Sequence, residues 1–348
     1  MKQKKLYCCQ VYELNFFKFI LMLVLISPLV QAIEKTQEIK LKKGWNAVYL
    51  EVDPLISEQN LSAFILKTVE SNSTIPIEII TTYLPNESSV EYIDSPDEAV
   101  WKKPSWNSWI RDDFPESFLT NLYDLEEGQA YLIRSSQDFV WKVKGEVRKI
   151  STNWQSNSFN LLGFQVNNTP ISFHQFFQNS PTAQTLQKGP IYTLEEGVWR
   201  KVSLPDEAVE KGKSYWVFAN GGSNFQGNVE LSLDDGAKLM NFLDVVNTKT
   251  IALTNKSSKI KTVTLSLENN EVPLSLVEKN ALAETIYTPV TSHLKTLQLS
   301  ANSETLIKVA VRRSEIKTSG KKEGILKMEV KETHEVQYLP ISAYGEKQ

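Results

Sequence analysis

The sequence predicts a mainly β protein made of two tandem small β-rich modules, each with one short helix, and a C-terminal β-sandwich. Three observations predict it. The nonapeptide "LEEGQAYLI" (Leu125–Ile133) returns 84 residues later as "VEKGKSYWV" (Val209–Val217), with the Glu, the Gly and the Tyr in register. Runs of β-branched and aromatic residues about a strand long, such as "NAVYLEV" and "YWVFAN", are bounded by Gly, Asn and Pro. From about Gly236 the texture shifts to short alternating strands with regular turn signals, and all eight Trp lie before that point.

The first 32 residues stand apart. Lys2, Lys4, Lys5 and Lys18 precede an apolar run from Phe19 to Leu25 that continues to Val30, and Val30 and Ala32 fit a signal-peptidase site. We therefore expect cleavage after Ala32, a soluble exported protein, and no membrane span once the leader is gone; the apolar run is shorter than the roughly 20 residues a spanning helix needs. Removing residues 1–32 takes away four Lys and one Glu, which leaves 34 basic against 40 acidic side chains and moves the formal net charge from -3 to -6. That balance excludes nucleic acid as a partner. Cys8 and Cys9 leave with the leader, so no disulfide or thiol nucleophile would remain. Both precede the apolar run, whereas a lipid-modified cysteine would follow it.

Five blocks recur in one order through residues 36–149 and 150–233, the two modules. "GWNAVYLEV" (Gly44–Val52) matches "SFNLLGFQV" (Ser158–Val166), placing Trp45 over Phe159 and Asn46 over Asn160. "LSAFI" (Leu61–Ile65) and "FHQFF" (Phe173–Phe177) are the apolar, helical segments. "AVWKK" (Ala99–Lys103) matches "GVWRK" (Gly197–Lys201), which sets Trp101 over Trp199. The nonapeptides follow with Tyr131 over Tyr215, and "VKGEV" (Val143–Val147) against "FQGNV" (Phe225–Val229) closes each copy. Gly128 and Gly212 read as turn glycines with positive φ. A duplicated module must keep its core, so Trp45, Trp101, Tyr131, Phe159, Trp199 and Tyr215 are the predicted structural core.

This set of blocks, a "G-W-N" strand, a central Trp and "G-x-x-Y-W-V", resembles a module that recurs in large secreted and surface proteins of bacteria. The resemblance covers about 200 residues. It implies an exported, noncatalytic module and carries no chemistry with it. Copy two departs by having Phe159 for the Trp, and copy one by having Leu132 where copy two has Trp216.

Residues 236–345 read as the sandwich, with a boundary near Asp234 and Asp235. "TKTIALTNKS", "KTVTLSL", "LKTLQLSANSETLIKVAVRR" and "GILKMEV" alternate as sandwich strands do. Their order resembles immunoglobulin-like domains of the bacterial surface-protein and abnormal-spindle type, without the cysteine pair and core Trp of antibody domains.

Candidate chemistry is sparse. His174, His293 and His334 are scattered without metal-ligand spacing, so no metal and no cofactor is expected, and no catalytic residue is assigned. Trp106 and Trp109 lie in what reads as an insertion that copy two lacks, and insertions on repeats map to surface loops. They are the candidate ligand-binding residues, for stacking on sugars or anchoring a protein; the competing reading is that they pin the loop onto its own module or onto copy two. Asp112, Asp113 and Glu116 beside them are the carboxylates a carbohydrate-active enzyme would need, with acidic turns in solvent as the plainer reading. Asn60, Asn72, Asn86, Asn167 and Asn255 begin N-x-S/T triplets.

The expected function is a noncatalytic exported protein of the cell surface or extracellular space, binding an envelope protein or a polysaccharide. A carbohydrate-binding or carbohydrate-active protein using Trp106 and Trp109, and a periplasmic assembly chaperone donating a sandwich strand, are the alternatives.

Overall fold

The computed structural model describes residues 34–56, 60–69, 75–84, 105–268, 270–316 and 320–345, all within one compact unit, Ala32–Gln348. The protein is mainly β. The expected leader and Trp101 lie outside the described residues.

Copy one supplies β1 (Glu34–Leu41), β2 (Gly44–Tyr49), β3 (Asp53–Pro54), α1 (Leu61–Thr68), β4 (Ile77–Tyr83), β5 (Trp106–Ile110), β6 (Ala130–Ser135) and β7 (Phe139–Glu146). Its main sheet is antiparallel in the order β2-β6-β4-β5, and β1-β7-β3 form a smaller sheet. Between the two lies a core that includes Leu41, Ile65, Trp109 and Trp141. Helix α1 has only two turns and could not persist alone. Asn60 caps it by accepting from the Ala63 N–H at 2.9 Å. Trp109 Nε1 donates to Ser62 Oγ at one end and Trp141 Nε1 to Thr68 Oγ1 at the other, both at 2.9 Å.

Copy two supplies β8 (Ser158–Gly163), β9 (Ile171–Ser172), α2 (Phe173–Phe177), α3 (Gln184–Lys188), β10 (Ile191–Glu195), β11 (Val198–Lys201), β12 (Ala208–Val209) and β13 (Ser214–Ala219). Its sheet order, β8-β13-β10-β11, reproduces that of copy one strand for strand. The register agrees as well: Val48 faces Tyr131 as Leu162 faces Tyr215, and Gly44 faces Ser135 as Ser158 faces Ala219. Gly128 and Gly212 both have positive φ, +79° and +71°. In each copy the Tyr hydroxyl reaches back over that turn to accept a backbone N–H, Glu126 to Tyr131 at 2.8 Å and Glu210 to Tyr215 at 2.9 Å.

The ladder corrects one block of the repeat. Leu132 faces Thr81 as Trp216 faces Tyr192, so Tyr83 of β4 is the counterpart of Leu194 of β10. Tyr83 pairs with Trp106 and Leu194 with Trp199. Trp106, not Trp101, therefore holds the place of Trp199, and the presumed insertion contains the fourth strand of the sheet. The closing blocks differ too. Gly145 lies in β7 opposite Pro54, whereas Phe225–Val229 leads out of copy two into the sandwich.

The two main sheets pack face to face. Trp45, Tyr83, Trp106 and Leu132 of copy one meet Phe159, Leu161, Trp199 and Trp216 of copy two, with Trp216 at the centre. Its ring lies 5.2 Å from Tyr83, 6.1 Å from Trp106 and 6.2 Å from Trp199, edge-on to each. At the rim Tyr49 rests on Gly163, where any Cβ would collide with its ring.

The sandwich comprises β14 (Val229–Leu233), β15 (Met240–Asn241), β16 (Thr248–Asn255), β17 (Lys261–Glu268), β18 (Leu274–Lys279), β19 (Thr285–Val290), β20 (His293–Leu299), β21 (Ser303–Val311), β22 (Lys321–Val330) and β23 (Val336–Tyr344). Two five-stranded sheets, β14-β16-β21-β18-β19 and β15-β23-β22-β17-β20, enclose one core. Strand β14 pairs with β16, so the sandwich begins at Val229 and the boundary expected at 236 moves back. Buried Arg313 ties one end together, donating to the carbonyls of Phe242, Leu243, Val246 and Tyr344 and to Asn247 Oδ1. Copy two joins the sandwich through buried Glu335, which accepts from the N–H and the side-chain amide of Asn228 and from Thr333 Oγ1.

Candidate functional site

A groove of about 1330 Å³ opens between the copies. One wall belongs to copy one: Lys35–Lys40 of β1, the Lys42–Lys43 turn, Gly44–Val48 of β2, and Arg134. The other wall is made of turns of copy two, Leu194–Gly197 and Glu210–Lys213, with Asn168 beside them. The second of these turns is part of the repeated nonapeptide.

Local chemistry explains the shape. Asn46 folds the turn before β2 on itself, accepting from the Lys42 N–H at 2.8 Å and donating to the carbonyls of Lys42 and Gly44 at 2.8 and 3.0 Å. Asn160 does the same before β8, accepting from the Gln155 N–H at 2.8 Å and donating to the carbonyls of Gln155 and Ser158. This is why the Asn is repeated. Strands β1 and β2 follow one another without pairing. The Gln37 amide bridges them instead, donating to the Tyr49 carbonyl at 2.8 Å and accepting from the Glu51 N–H at 2.7 Å. The Tyr49 N–H donates to the Gly212 carbonyl at 2.8 Å, which stitches copy one to the turn of copy two.

At the base lies Glu51, 4 % exposed, with Lys211 of copy two 3.7 Å away. Burial pushes the Glu51 carboxyl up, and the charges of Lys211 and Lys35 only partly offset it. Lys35 is pushed down by burial; its ammonium sits 3.5 Å from the centre of the Tyr338 ring and 3.7 Å from Glu268. No His lines the groove among the described residues, and no cluster of His, Cys, Asp or Glu there could hold a metal ion. What the groove offers is main chain, mixed charge and a buried carboxylate, a set suited to holding a polar chain.

The residues singled out from sequence lie elsewhere. Trp106 and Trp109 are 3 % and 2 % exposed on opposite faces of β5. One packs against copy two and the other against the helix of its own module, so neither ring meets a ligand at the surface. Trp45, Tyr131, Phe159, Trp199 and Tyr215 are buried. Asp112 and Asp113 project into solvent. Arg111 pairs with Asp113 at 2.6 Å and holds its carboxyl below the usual range, opposite to what a general acid needs. His174 is exposed on α2. Asn255 is fully buried with its amide donating to the carbonyls of Lys259, Leu299 and Ser300, out of reach of glycosylation.

Sequence reasoning missed Gln37, Glu51 and Lys211. Glu51 falls between the core residues Leu50 and Val52, where alternation places a side chain outward in solvent. Copy two covers that side, and nothing local signals it. Also missed are Phe118 and Tyr123, 81 % and 69 % exposed on the loop after β5.

No protein-family model and no curated protein sequence matches the chain. Solved structures of similar outline include an ASH/PapD-like domain of human CEP192 at 10% identity and a TM-score of 0.23, over 35% of this chain and 87% of that one. A FixG-related protein from Vibrio parahaemolyticus matches at 11% identity and a TM-score of 0.22, over 34% of this chain and 95% of that one. The CooA pilin subunit from enterotoxigenic Escherichia coli matches at 13% identity and a TM-score of 0.21, over 34% and 99%. Likenesses at these scores carry no argument about function, and the fold class rests on the sheet topology.

Proposed function

We propose that the protein is a noncatalytic exported binding or assembly protein of the cell surface or extracellular space, and that the groove between the copies holds its envelope or extracellular partner. One observation carries this reading: both copies contribute walls to one groove of about 1330 Å³, and its lining mixes basic and acidic side chains. The Trp-based carbohydrate reading loses its support, because the two rings are enclosed. Strand donation by the sandwich is disfavoured at β19, an edge strand in which Pro289 lacks an N–H.

Site-specific cross-linking tests the proposal. A chain beginning at Ile33 has no cysteine, so a Glu38→Cys variant can carry a single benzophenone in the groove and a Gln298→Cys variant one on β20 of the sandwich. Irradiation in the envelope fraction should yield a discrete adduct from position 38 alone. Equal adducts from both positions, or none from either, would refute the groove as the binding site.

A further inference from the structure

We propose that the groove takes an extended, acidic polypeptide segment, which adds as a strand along the open edge of β1. The inference rests on the groove being the binding site and names the class of its occupant.

The edge is the first argument. Strand β1 pairs with β7 through all its residues, Glu34 with Glu146 to Leu41 with Phe139, and is the outer strand of its sheet. All of Lys35–Lys40 line the groove, including Gln37 and Ile39, whose side chains are buried. No residue of β7 lines it, although β7 alternates exposed side chains on the outer face of the same sheet. The groove therefore runs along the free edge of β1, not across the face of its sheet. An open edge presents N–H and C=O groups at every second residue, a spacing that another polypeptide reproduces and a glycan does not. A segment of about six residues, roughly 20 Å, would match Lys35–Lys40. The aromatic that lines the groove, Trp45, is buried, so no ring stands ready to stack on a sugar.

Charge is the second argument. The chain is acidic overall, with a net charge of -3, yet the copy-one wall sets Lys35, Lys40, Lys42, Lys43 and Arg134 against Glu38 and Glu51, and with Lys211 and Lys213 against Glu195, Glu196 and Glu210 on the copy-two wall the lining keeps an excess of two positive charges. Lys42 is held by Asp138 at 2.8 Å and Arg134 by Glu78 at 3.2 Å. Lys40 and Lys43 form no ion pair among the described residues and are exposed beside the open edge. They favour acidic side chains on the incoming strand.

The test uses the full exported chain and fluorescein-labelled octapeptides of alternating Glu and Val, their Lys-Val counterparts, and the Glu-Val peptide N-methylated at alternate amides. Anisotropy should detect the Glu-Val peptide, with at least tenfold weaker binding after N-methylation, after exchanging Glu for Lys, and in a Lys40→Glu, Lys43→Glu variant whose melting is unchanged. Amide hydrogen exchange across Lys35–Lys40 should slow when the Glu-Val peptide binds. Equal binding of the N-methylated or Lys-Val peptides, or no peptide that slows exchange in β1, overturns the proposal. A glycan adduct at Glu38→Cys with β1 exchange unaltered by any peptide would overturn this inference and leave the groove as the binding site. No adduct and no protection would overturn both.

Discussion

A phenol hydroxyl explains why the nonapeptide keeps its Tyr. Tyr131 and Tyr215 each accept the N–H of the residue five places earlier, so the ring packs in the core while its tip closes the turn. A neutral hydrogen bond of this kind contributes on the order of 1 kcal/mol, and the buried N–H left behind adds to the cost of losing it. Tyr131→Phe and Tyr215→Phe should each lower stability in urea by about 1–2 kcal/mol. A value near zero for one copy alone would mean that the two turns are not equivalent. Trp216 occupies the place of Leu132 and fills the space between the sheets that the smaller residue leaves. Trp216→Ala and Trp106→Ala should each cost about 3–5 kcal/mol, as buried aromatics do. Melting unaltered in Trp106→Ala would restore the ring to the surface role its neighbourhood in the sequence suggests.

Strand identity was readable where residue type and burial agree, and unreadable where partners are chosen by tertiary context. Strands β2, β6, β8 and β13 followed from their repeated aromatics, and their register follows residue for residue. Strand β5 was missed because "AVWKK" resembles "GVWRK" more closely than "WNSWI" does, while the ladder aligns Trp106 with Trp199. Similar closing blocks have different fates because copy one has β1 for β7 to pair with, and copy two passes its chain to the sandwich. The groove escaped for the same reason, since an open edge is defined by which strand is missing beside it. Within the sandwich, Arg313 gives an element-level prediction. It is buried, faces main-chain carbonyls and Asn247 instead of a carboxylate, and holds the β15 segment to the end of β23. Arg313→Met keeps the volume and orphans those acceptors, so it should cost about 3 kcal/mol or more. Faster amide exchange should be confined to Phe242–Val246 and Tyr344; uniform acceleration over the whole sandwich would show that the arginine acts on the core instead.

Across the whole molecule, carboxylates withdrawn from water sit where parts meet: buried Glu51 between the copies, buried Glu335 between copy two and the sandwich, and half-buried Glu127 beside the Arg148 N–H at the end of copy one. Burial raises all three, and Glu127 is pushed up to about 9. A carboxyl raised in the folded state binds a proton there that the unfolded chain has released. Its contribution is fully present below the unfolded value near 4.5 and is lost as pH climbs toward the folded one. For Glu127 the fall lies between about pH 4.5 and about pH 9, on the order of 1–2 kcal/mol once relaxation and solvent screening of the site are allowed for. Exposed carboxylates lowered by a cation, such as Asp113 and Asp138, act in the other sense and only below about pH 4. Lys35 and Lys261, lowered by burial, oppose the trend on the alkaline side, which confines the test to pH 5–8. Urea midpoints should decline from pH 5.5 to pH 8, and Glu127→Gln, which cannot ionise but keeps an acceptor for the Arg148 N–H, should flatten the decline. Midpoints that rise over this interval, or a Gln variant with an unaltered slope, would show that these carboxyls find water or cations enough to ionise freely at the joints of the fold.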